Sequence, residues 1–375
     1  MSRFDKLVPE FIRSLAPYKP GKPIRQAERE SGIRCIKMAS NENPFGPSPK
    51  ALEAIRAAAA EVNFYPDMDT AELRTTLAGR HDLQPDQVIL ADGSTVLLDL
   101  LGRVLLAPGL NAVTSERSFI VYPIATRAAG GKLVTAPMKD DGYDLDAIAA
   151  AINPDTRLVF IANPNNPTGT LLEASAVDRF LERVPEHVLV VLDEAYCDFG
   201  AHFARARGLD YSHSLDYVRQ GRNLIVLRTF SKAHGLAGLR LGYGFGPPEL
   251  LQYLACVRTA FSVSAISEAA GLAALEDEAH IRKTVENNAV QAPWLTQQLT
   301  AMGFRAIPTS ANFIYFDVGE DAVTVAKRMQ ANGVIVRPLA AWGAPTALRV
   351  TVGTPEQNRT FVAALKKSTE RVAAS

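Results

Sequence analysis

The sequence predicts an α/β protein of two domains: a large domain on a mostly parallel sheet of seven-stranded type, covered by helices, and a smaller C-terminal α/β domain. Three observations predict it. Between residues 87 and 245, short runs that are apolar throughout, such as Leu158–Ala162 and Val188–Leu192, alternate with helix-patterned segments. Strands without a polar face belong to parallel sheets buried on both sides. Further on the pattern changes, and strand-like Asn312–Asp317 and Ala347–Val352 are interleaved with two more helices. Finally, 375 residues of which 47% are apolar are enough for two cores.

The elements follow in order. Residues 1–45 read as an N-terminal arm, because prolines and glycines punctuate Pro17–Pro23 and Asn41–Pro49; a short helix fits Ile24–Ser31. Residues 46–262 form the large domain and 263–375 the small one. Alanine-rich Pro49–Val62 predicts a helix with Ser48 as N-cap. The turn Tyr65-Pro66-Asp67 precedes a helix over Thr70–His81, capped by Asp69 or Thr70. Strands are expected at Gln87–Ala91, Ala112–Ser115, Leu133–Ala136, Leu158–Ala162, Val188–Leu192, Leu224–Leu227 and Leu241–Phe245. Helices are expected at Ser94–Leu106, Tyr122–Ala129, Asp144–Ala151 and Glu173–Arg183. A long helical region over Ala265–Thr300, broken near Pro293, leads into strands Asn312–Asp317, Val334–Arg337 and Ala347–Val352 with helices at Ala322–Asn332 and Pro355–Val372.

Composition narrows the functional classes. Lys plus Arg and Asp plus Glu both number 40, so nothing in the net charge draws the chain to nucleic acid or anionic lipid. Cys35, Cys197 and Cys256 are scattered and odd in number, which argues against a disulfide framework and for a reducing cytoplasm. The first residues lack the apolar core of a signal peptide, and no apolar run reaches the length of a membrane span. The six histidines show no metal-ligand spacing, and Gly242-Tyr243-Gly244-Phe245-Gly246 lacks the spacing of a dinucleotide loop.

Ligands of open parallel sheets sit beyond the carboxyl ends of the strands, so the residues after each strand are the site candidates. After Ala91 comes Asp92-Gly93-Ser94-Thr95, a glycine and hydroxyls at a helix start, where free N–H groups favour an anion. After Ala162 comes Asn163-Pro164-Asn165-Asn166-Pro167-Thr168-Gly169, and after Leu192 comes Asp193-Glu194-Ala195-Tyr196. A carboxylate ending so apolar a strand is expected to have a cationic partner. After Leu227 comes the hydroxyl-rich turn Thr229-Phe230-Ser231-Lys232, with Arg240 eight residues beyond the lysine. A lysine whose pKa is lowered by burial and neighbouring cations can form an imine with a carbonyl cofactor. Together these pieces supply what pyridoxal phosphate needs: an amine, a carboxylate for the pyridine nitrogen, hydrogen bonds to the phenolic oxygen and an anion cradle.

With these motifs in this order and spacing, the chain resembles the fold-type I aminotransferases, and within them the histidinol-phosphate aminotransferase group. Ser40-Asn41-Glu42-Asn43-Pro44-Phe45-Gly46-Pro47-Ser48-Pro49, Gly235-Leu236-Ala237-Gly238-Leu239-Arg240 and Leu348-Arg349-Val350-Thr351-Val352-Gly353 extend the likeness over the whole chain. The resemblance implies that Lys232 bonds the cofactor and moves the substrate proton, and that Asp193 faces the pyridine nitrogen. It places Asn166 and Tyr196 at the phenolic oxygen, and Gly93, Ser94, Thr95, Ser231, Arg240 and Thr229 around the phosphate. Phe119 is expected to stack on the ring, with Tyr122 as the alternative. Tyr65 is expected to reach the cofactor phosphate of a partner subunit, which makes the active unit a homodimer with shared sites. Arg349 is expected to take an α-carboxylate, with Arg337, Tyr18 and Asn43 on the substrate side. No metal is implied.

The implied reaction passes the amino group of histidinol phosphate to 2-oxoglutarate. An aromatic amino-acid aminotransferase and a lyase or decarboxylase of the same fold remain as alternatives. Two departures bear on substrate identity: Thr95-Val96 stands where many relatives carry an acidic residue, and Phe261-Ser262-Val263-Ser264 where asparagines are frequent.

Overall fold

The structure, a computed structural model, describes residues 3–17 and 21–369. Its large sheet has seven strands: β1 (Val88–Ala91), β2 (Asn111–Ser115), β3 (Lys132–Ala136), β4 (Thr156–Ala162), β5 (Leu189–Asp193), β6 (Leu224–Thr229) and β7 (Gly242–Phe245). Their spatial order is β1-β7-β6-β5-β4-β2-β3. All neighbours are parallel except β7, which runs antiparallel to both β1 and β6. The carboxyl ends of β1, β2, β4, β5 and β6 therefore open on one edge. β1, β5 and β6 are almost wholly buried, as their apolar runs require, whereas the edge strand β3 is largely exposed or half-buried. Phe160, Val191, Ile225 and Leu227 are fully inaccessible in a core that continues into the covering helices.

The smaller antiparallel sheet comprises β8 (Arg305–Ala306), β9 (Phe313–Asp317), β10 (Arg337–Pro338) and β11 (Ala347–Thr351), in the order β8-β9-β11-β10. It has its own core around Ile314, Phe316, Val350 and Phe361. The arm joins this sheet's surroundings. Ile36–Lys37 pairs in parallel with Val334–Ile335, and Met38 packs into the same core. The run Val334–Arg337 consequently serves two sheets, with Val334–Ile335 on the arm and Arg337–Pro338 on β11. A backbone bond from Thr351 to the Met38 carbonyl (2.8 Å) and one from the Asn41 amide to Thr351 Oγ1 (2.9 Å) continue the attachment.

Local chemistry differs from expectation at two helices. The second helix of the large domain, Ala71–Arg80, has Thr70 at its N-cap position as expected, but the capping side chain is that of Asp67, not of Asp69 or Thr70. Asp67 Oδ2 accepts from the Ala71 amide (2.8 Å), while Thr70 sits in left-handed backbone at φ 46°. The long helical region breaks at Glu276–Asp277, where Asp277 caps the next helix, Glu278–Ala301. Pro293 lies inside that helix, which continues through it: a proline removes one N–H without ending a helix that packing holds on both sides. Among the described residues no helix is long and apolar enough to cross a membrane.

Candidate active site

A cavity of about 350 Å³ opens at the carboxyl edge of the large sheet, against the small domain. The sheet topology explains what meets there. Ser94 and Thr95 arrive from β1, Phe119 from β2, Asn166 from β4, Asp193 and Tyr196 from β5, and Thr229, Ser231, Lys232 and Arg240 from β6 and the loop after it. Arg337 and Arg349 come from β10 and β11. Tyr65 is 83% exposed, against the Phe261 ring at 4.8 Å, and does not line its own chain's cavity. Tyr18 lies outside the described residues. Asn43 is also off the cavity wall: its amide donates to the Ala233 carbonyl (2.8 Å) and Thr284 Oγ1 (3.0 Å), and its Oδ1 accepts from Phe45. Asn43 thereby ties the arm to the lysine turn, and Asn41 lines the cavity in its place.

Burial governs the ionisable groups. Desolvation, followed by the nearby Arg349 guanidinium, lowers the Lys232 amine to about 8, and its Nζ donates to the Ser40 carbonyl (3.3 Å). Asp193 is raised to about 6 by desolvation. The Tyr122 hydroxyl donates to its Oδ2 (2.9 Å) and the Ala195 amide to its Oδ1 (3.2 Å). The arginine of this strand end goes elsewhere. Arg228 donates twice to Glu194 Oε2, at 2.8 and 3.0 Å. Among the described residues no ion pair reaches Asp193, so the expected cationic partner belongs to its neighbour, and Asp193 stays a buried carboxylate that a cationic ring nitrogen would complement.

The hydrogen-bonding groups on the remaining wall converge. Tyr196 hydroxyl accepts from Asn41 Nδ2 (2.8 Å) and Asn166 Nδ2 (3.3 Å). Arg349, only 5% exposed, donates to Asn166 Oδ1 and to the Ala39 carbonyl (3.1 Å). Half-buried Phe119 borders the cavity and meets Tyr122 edge-on at 5.7 Å. Tyr122 is fully buried against Phe160, in parallel stacking at 4.7 Å. The two aromatics thus divide the work, Phe119 at the cavity and Tyr122 at Asp193.

The anion cradle has a physical signature. Gly93, at φ 91°, precedes helix Ser94–Leu105, whose first N–H groups lack intrahelical acceptors. Arg240 bridges the hydroxyls of Thr95 (3.4 Å) and Ser231 (3.5 Å). Arg240 itself occupies left-handed backbone at φ 53°, a cost of roughly 1 kcal/mol or more that recurs at functional sites. Gly242 faces the cradle from behind: a Cβ there would lie 2.1 Å from the Ser94 nitrogen. The glycine run that mimics a dinucleotide loop therefore has a packing reason. Gly242→Ala is expected to displace the helix start and raise the Kd for pyridoxal phosphate at least about tenfold, the value of one hydrogen bond to a charged acceptor. Cofactor titration of the apoenzyme checks this, and an unchanged Kd would refute it. The donors, the glycine-lined approach and the unpaired buried carboxylate together fit a phosphorylated pyridine aldehyde. Among the described residues there is no cluster of metal ligands.

Sequence reasoning did not single out Tyr122 as the partner of Asp193, or Asn41, Ile120 and Trp342 on the wall. Asn41 stood inside a recognised motif and Tyr122 was considered only as the alternative stacking ring, while nothing in the sequence gave Ile120 or Trp342 a role.

Comparison with known proteins agrees with the geometry. The chain is 47% identical to histidinol-phosphate aminotransferase 2 of Pseudomonas fluorescens, over 97% of this chain and 98% of that protein. It is 44% identical to histidinol-phosphate aminotransferase of Moorella thermoacetica, over 96% and 92%. Among solved structures, histidinol-phosphate aminotransferase from Sinorhizobium meliloti, in complex with pyridoxal-5'-phosphate, superposes with a TM-score of 0.87 at 30% identity, over 100% of this chain and 99% of that one. Residues 33–365 match the family described as aminotransferase class I and II, and the chain belongs to that family.

Proposed function

We propose that the enzyme transfers the amino group of histidinol phosphate to 2-oxoglutarate, giving imidazole acetol phosphate and glutamate, with pyridoxal phosphate as cofactor. The near-full-length identity to relatives of that name carries this reading. When bound, the cofactor supplies an electron-withdrawing ring that acidifies the substrate Cα–H. In this reading Lys232 holds the cofactor and, once free, takes and returns the proton at substrate Cα. Asp193 keeps the pyridine nitrogen protonated, and Asn166 with Tyr196 binds the phenolic oxygen. Phe119 lies against the ring. Gly93, Ser94, Thr95, Ser231 and Arg240 bind the phosphate, with Thr229 behind them: its hydroxyl accepts from the Ser231 amide (3.1 Å).

Arg349 takes the α-carboxylate of glutamate, and Arg337 serves the far end of either substrate. Residues 46–262 and 263–375 act as the large and small domains, with the arm strand Ile36–Lys37 added to the latter. A second copy covers exposed Val62, Phe64 and Tyr65 and receives Tyr65 at its phosphate site. Histidine biosynthesis in the cytoplasm is the corresponding setting.

The test is to load the enzyme with cofactor and follow amine-form production with histidinol phosphate, glutamate and phenylalanine in parallel. Histidinol phosphate is expected to lead; a tenfold or larger kcat/KM advantage for phenylalanine, about 1.4 kcal/mol in transition-state binding, sinks the assignment. The carboxylate role is separable. Arg349→Ala is expected to lower kcat/KM for glutamate about 100-fold, for the loss of a charge-assisted pair. The loss for histidinol phosphate, which has no carboxylate, should be smaller, and equal losses would contradict the role.

A further inference from the structure

Tyr122 is fully inaccessible and does not line the cavity, yet it touches a residue that does. It stands at the start of helix Val121–Ala128. Its ring lies parallel to Phe160 of β4 at 4.7 Å and takes Phe119 edge-on at 5.7 Å, so two rings from separate elements fix its plane. That placement brings the hydroxyl to Asp193 Oδ2, to which it donates at 2.9 Å. The other groups near the carboxylate decide what this bond is worth. The Ala195 amide donates to Oδ1 (3.2 Å). Lys232, from the loop after β6, pulls the carboxyl down, and Glu194, next along the chain, pushes it up. Arg228 is taken up by Glu194. Tyr143, from the hairpin Met138–Tyr143, is a phenol raised by burial, with its hydroxyl engaged by Ser118 and by the Ala162 amide (3.1 Å). The Tyr196 hydroxyl accepts from Asn41 and Asn166. Against burial, which raises the Asp193 carboxyl, the largest opposing influence is the Tyr122 bond, ahead of the Ala195 amide and Lys232. A phenol supplies it without charge. Burial and the neighbouring carboxylate hold the Tyr122 hydroxyl well above the ordinary phenol range, so it stays a neutral donor. A guanidinium in its place would cancel the negative charge that attracts a cationic ring nitrogen.

We propose that Tyr122 is a positioning residue for amino transfer, whose hydroxyl, acting through Asp193, fixes the carboxylate and keeps its charge available to the pyridine nitrogen of the cofactor; this rests on Asp193 being the group that faces that nitrogen. Carboxyl and ring share one proton, which lies either on the carboxyl oxygen or on the ring nitrogen. A hydrogen bond to the ionised carboxyl favours the arrangement with the proton on the ring, by at least about tenfold for a bond to a charged acceptor. The protonated ring is the one that withdraws electrons strongly. Tyr122 thus serves the reaction without touching cofactor or substrate.

The experiment uses Tyr122→Phe, which keeps the stacked ring and removes the donor. Wild-type, Tyr122→Phe and Asp193→Asn holoenzymes are loaded with pyridoxal phosphate carrying nitrogen-15 in the ring, and the ring nitrogen is followed by NMR. The wild-type signal is expected at the pyridinium position and that of Asp193→Asn at the neutral pyridine position. Tyr122→Phe is expected to move from the first toward the second, with kcat down about tenfold. A Tyr122→Phe signal at the wild-type position, or a wild-type kcat, overturns the proposal. A neutral ring nitrogen in the wild type would instead remove Asp193 from that nitrogen, so the two failures are distinguishable. The apoenzyme gives an independent measurement. Burial raises the Asp193 carboxyl from 3.8 to about 6, and without its donor the carboxyl is raised further. Stability tied to a raised folded-state value is lost as pH rises through that value, so the variant goes on losing stability where the wild type has levelled off. The gap in denaturant midpoint between wild type and variant is expected to widen from about pH 4 to about pH 8. A gap equal at both ends means that the hydroxyl serves packing alone, and overturns the proposal. In an Asp193→Asn background the same substitution should leave a gap that does not change with pH; one that still widens assigns the titration to another group and overturns it as well.

Discussion

Lys232→Ala enzyme is expected to lose amino transfer, with kcat down at least about 10⁴-fold, because one substitution removes both the covalent anchor and the group that moves the Cα proton. The structure explains why this lysine is suited to the task. With its amine lowered to about 8, about a quarter is neutral at pH 7.5, against roughly one part in a thousand for an ordinary lysine. Only the neutral amine attacks a carbonyl. Cofactor uptake by apoenzyme should therefore accelerate as pH rises through about 8 and level off above it. Borohydride reduction of the loaded wild type should leave the label on the peptide containing Lys232 and none on that peptide in the variant. A label retained by the variant, or an uptake rate that is flat from pH 7 to 9, would remove Lys232 from this role.

Most of the large sheet was legible in the sequence because burial on both faces leaves a simple mark: Leu158–Ala162 in β4, Leu189–Leu192 in β5 and Leu224–Leu227 in β6 are apolar throughout. That mark carries no direction, so the antiparallel insertion of β7 between β1 and β6 is visible only in the structure. Helix ends were readable where the cap lies next to its helix, as with Ser48 and the Ala51 amide (3.1 Å). They were misread where the cap reaches further, as Asp67 does to Ala71.

The site follows the same division. Lys232, Asp193 and Asn166 end strands and belong to motifs, so reading the strand ends finds them. Tyr122 contributes by contact with a residue 71 positions away, and Trp342 through a cavity assembled from two domains. Asn43 shows the converse hazard. It shares a motif with Asn41, yet one residue lines the cavity and the other fastens the arm.

Asp193→Asn should make the apoenzyme more stable and the holoenzyme far less active. Burial raises the Asp193 carboxyl from 3.8 to about 6, so between those values the folded state binds more protons than the unfolded one. Stability therefore falls as pH rises through that window, by about 3 kcal/mol once the group is ionised in both states. An asparagine escapes this cost but cannot accept from both the Tyr122 hydroxyl and the Ala195 amide as the carboxylate does, a loss of about 1 kcal/mol. Denaturant unfolding of the apoenzymes should then favour the variant by about 2 kcal/mol at pH 8, with the advantage gone by about pH 4. Activity should move the other way. A neutral amide cannot keep the pyridine nitrogen protonated, and losing that preorganised charge is expected to lower kcat about 10³-fold. The carboxylate is thus held at the expense of apoenzyme stability because the ring nitrogen requires it. A variant less stable than wild type at pH 8, or one keeping more than a tenth of wild-type kcat, would break that link.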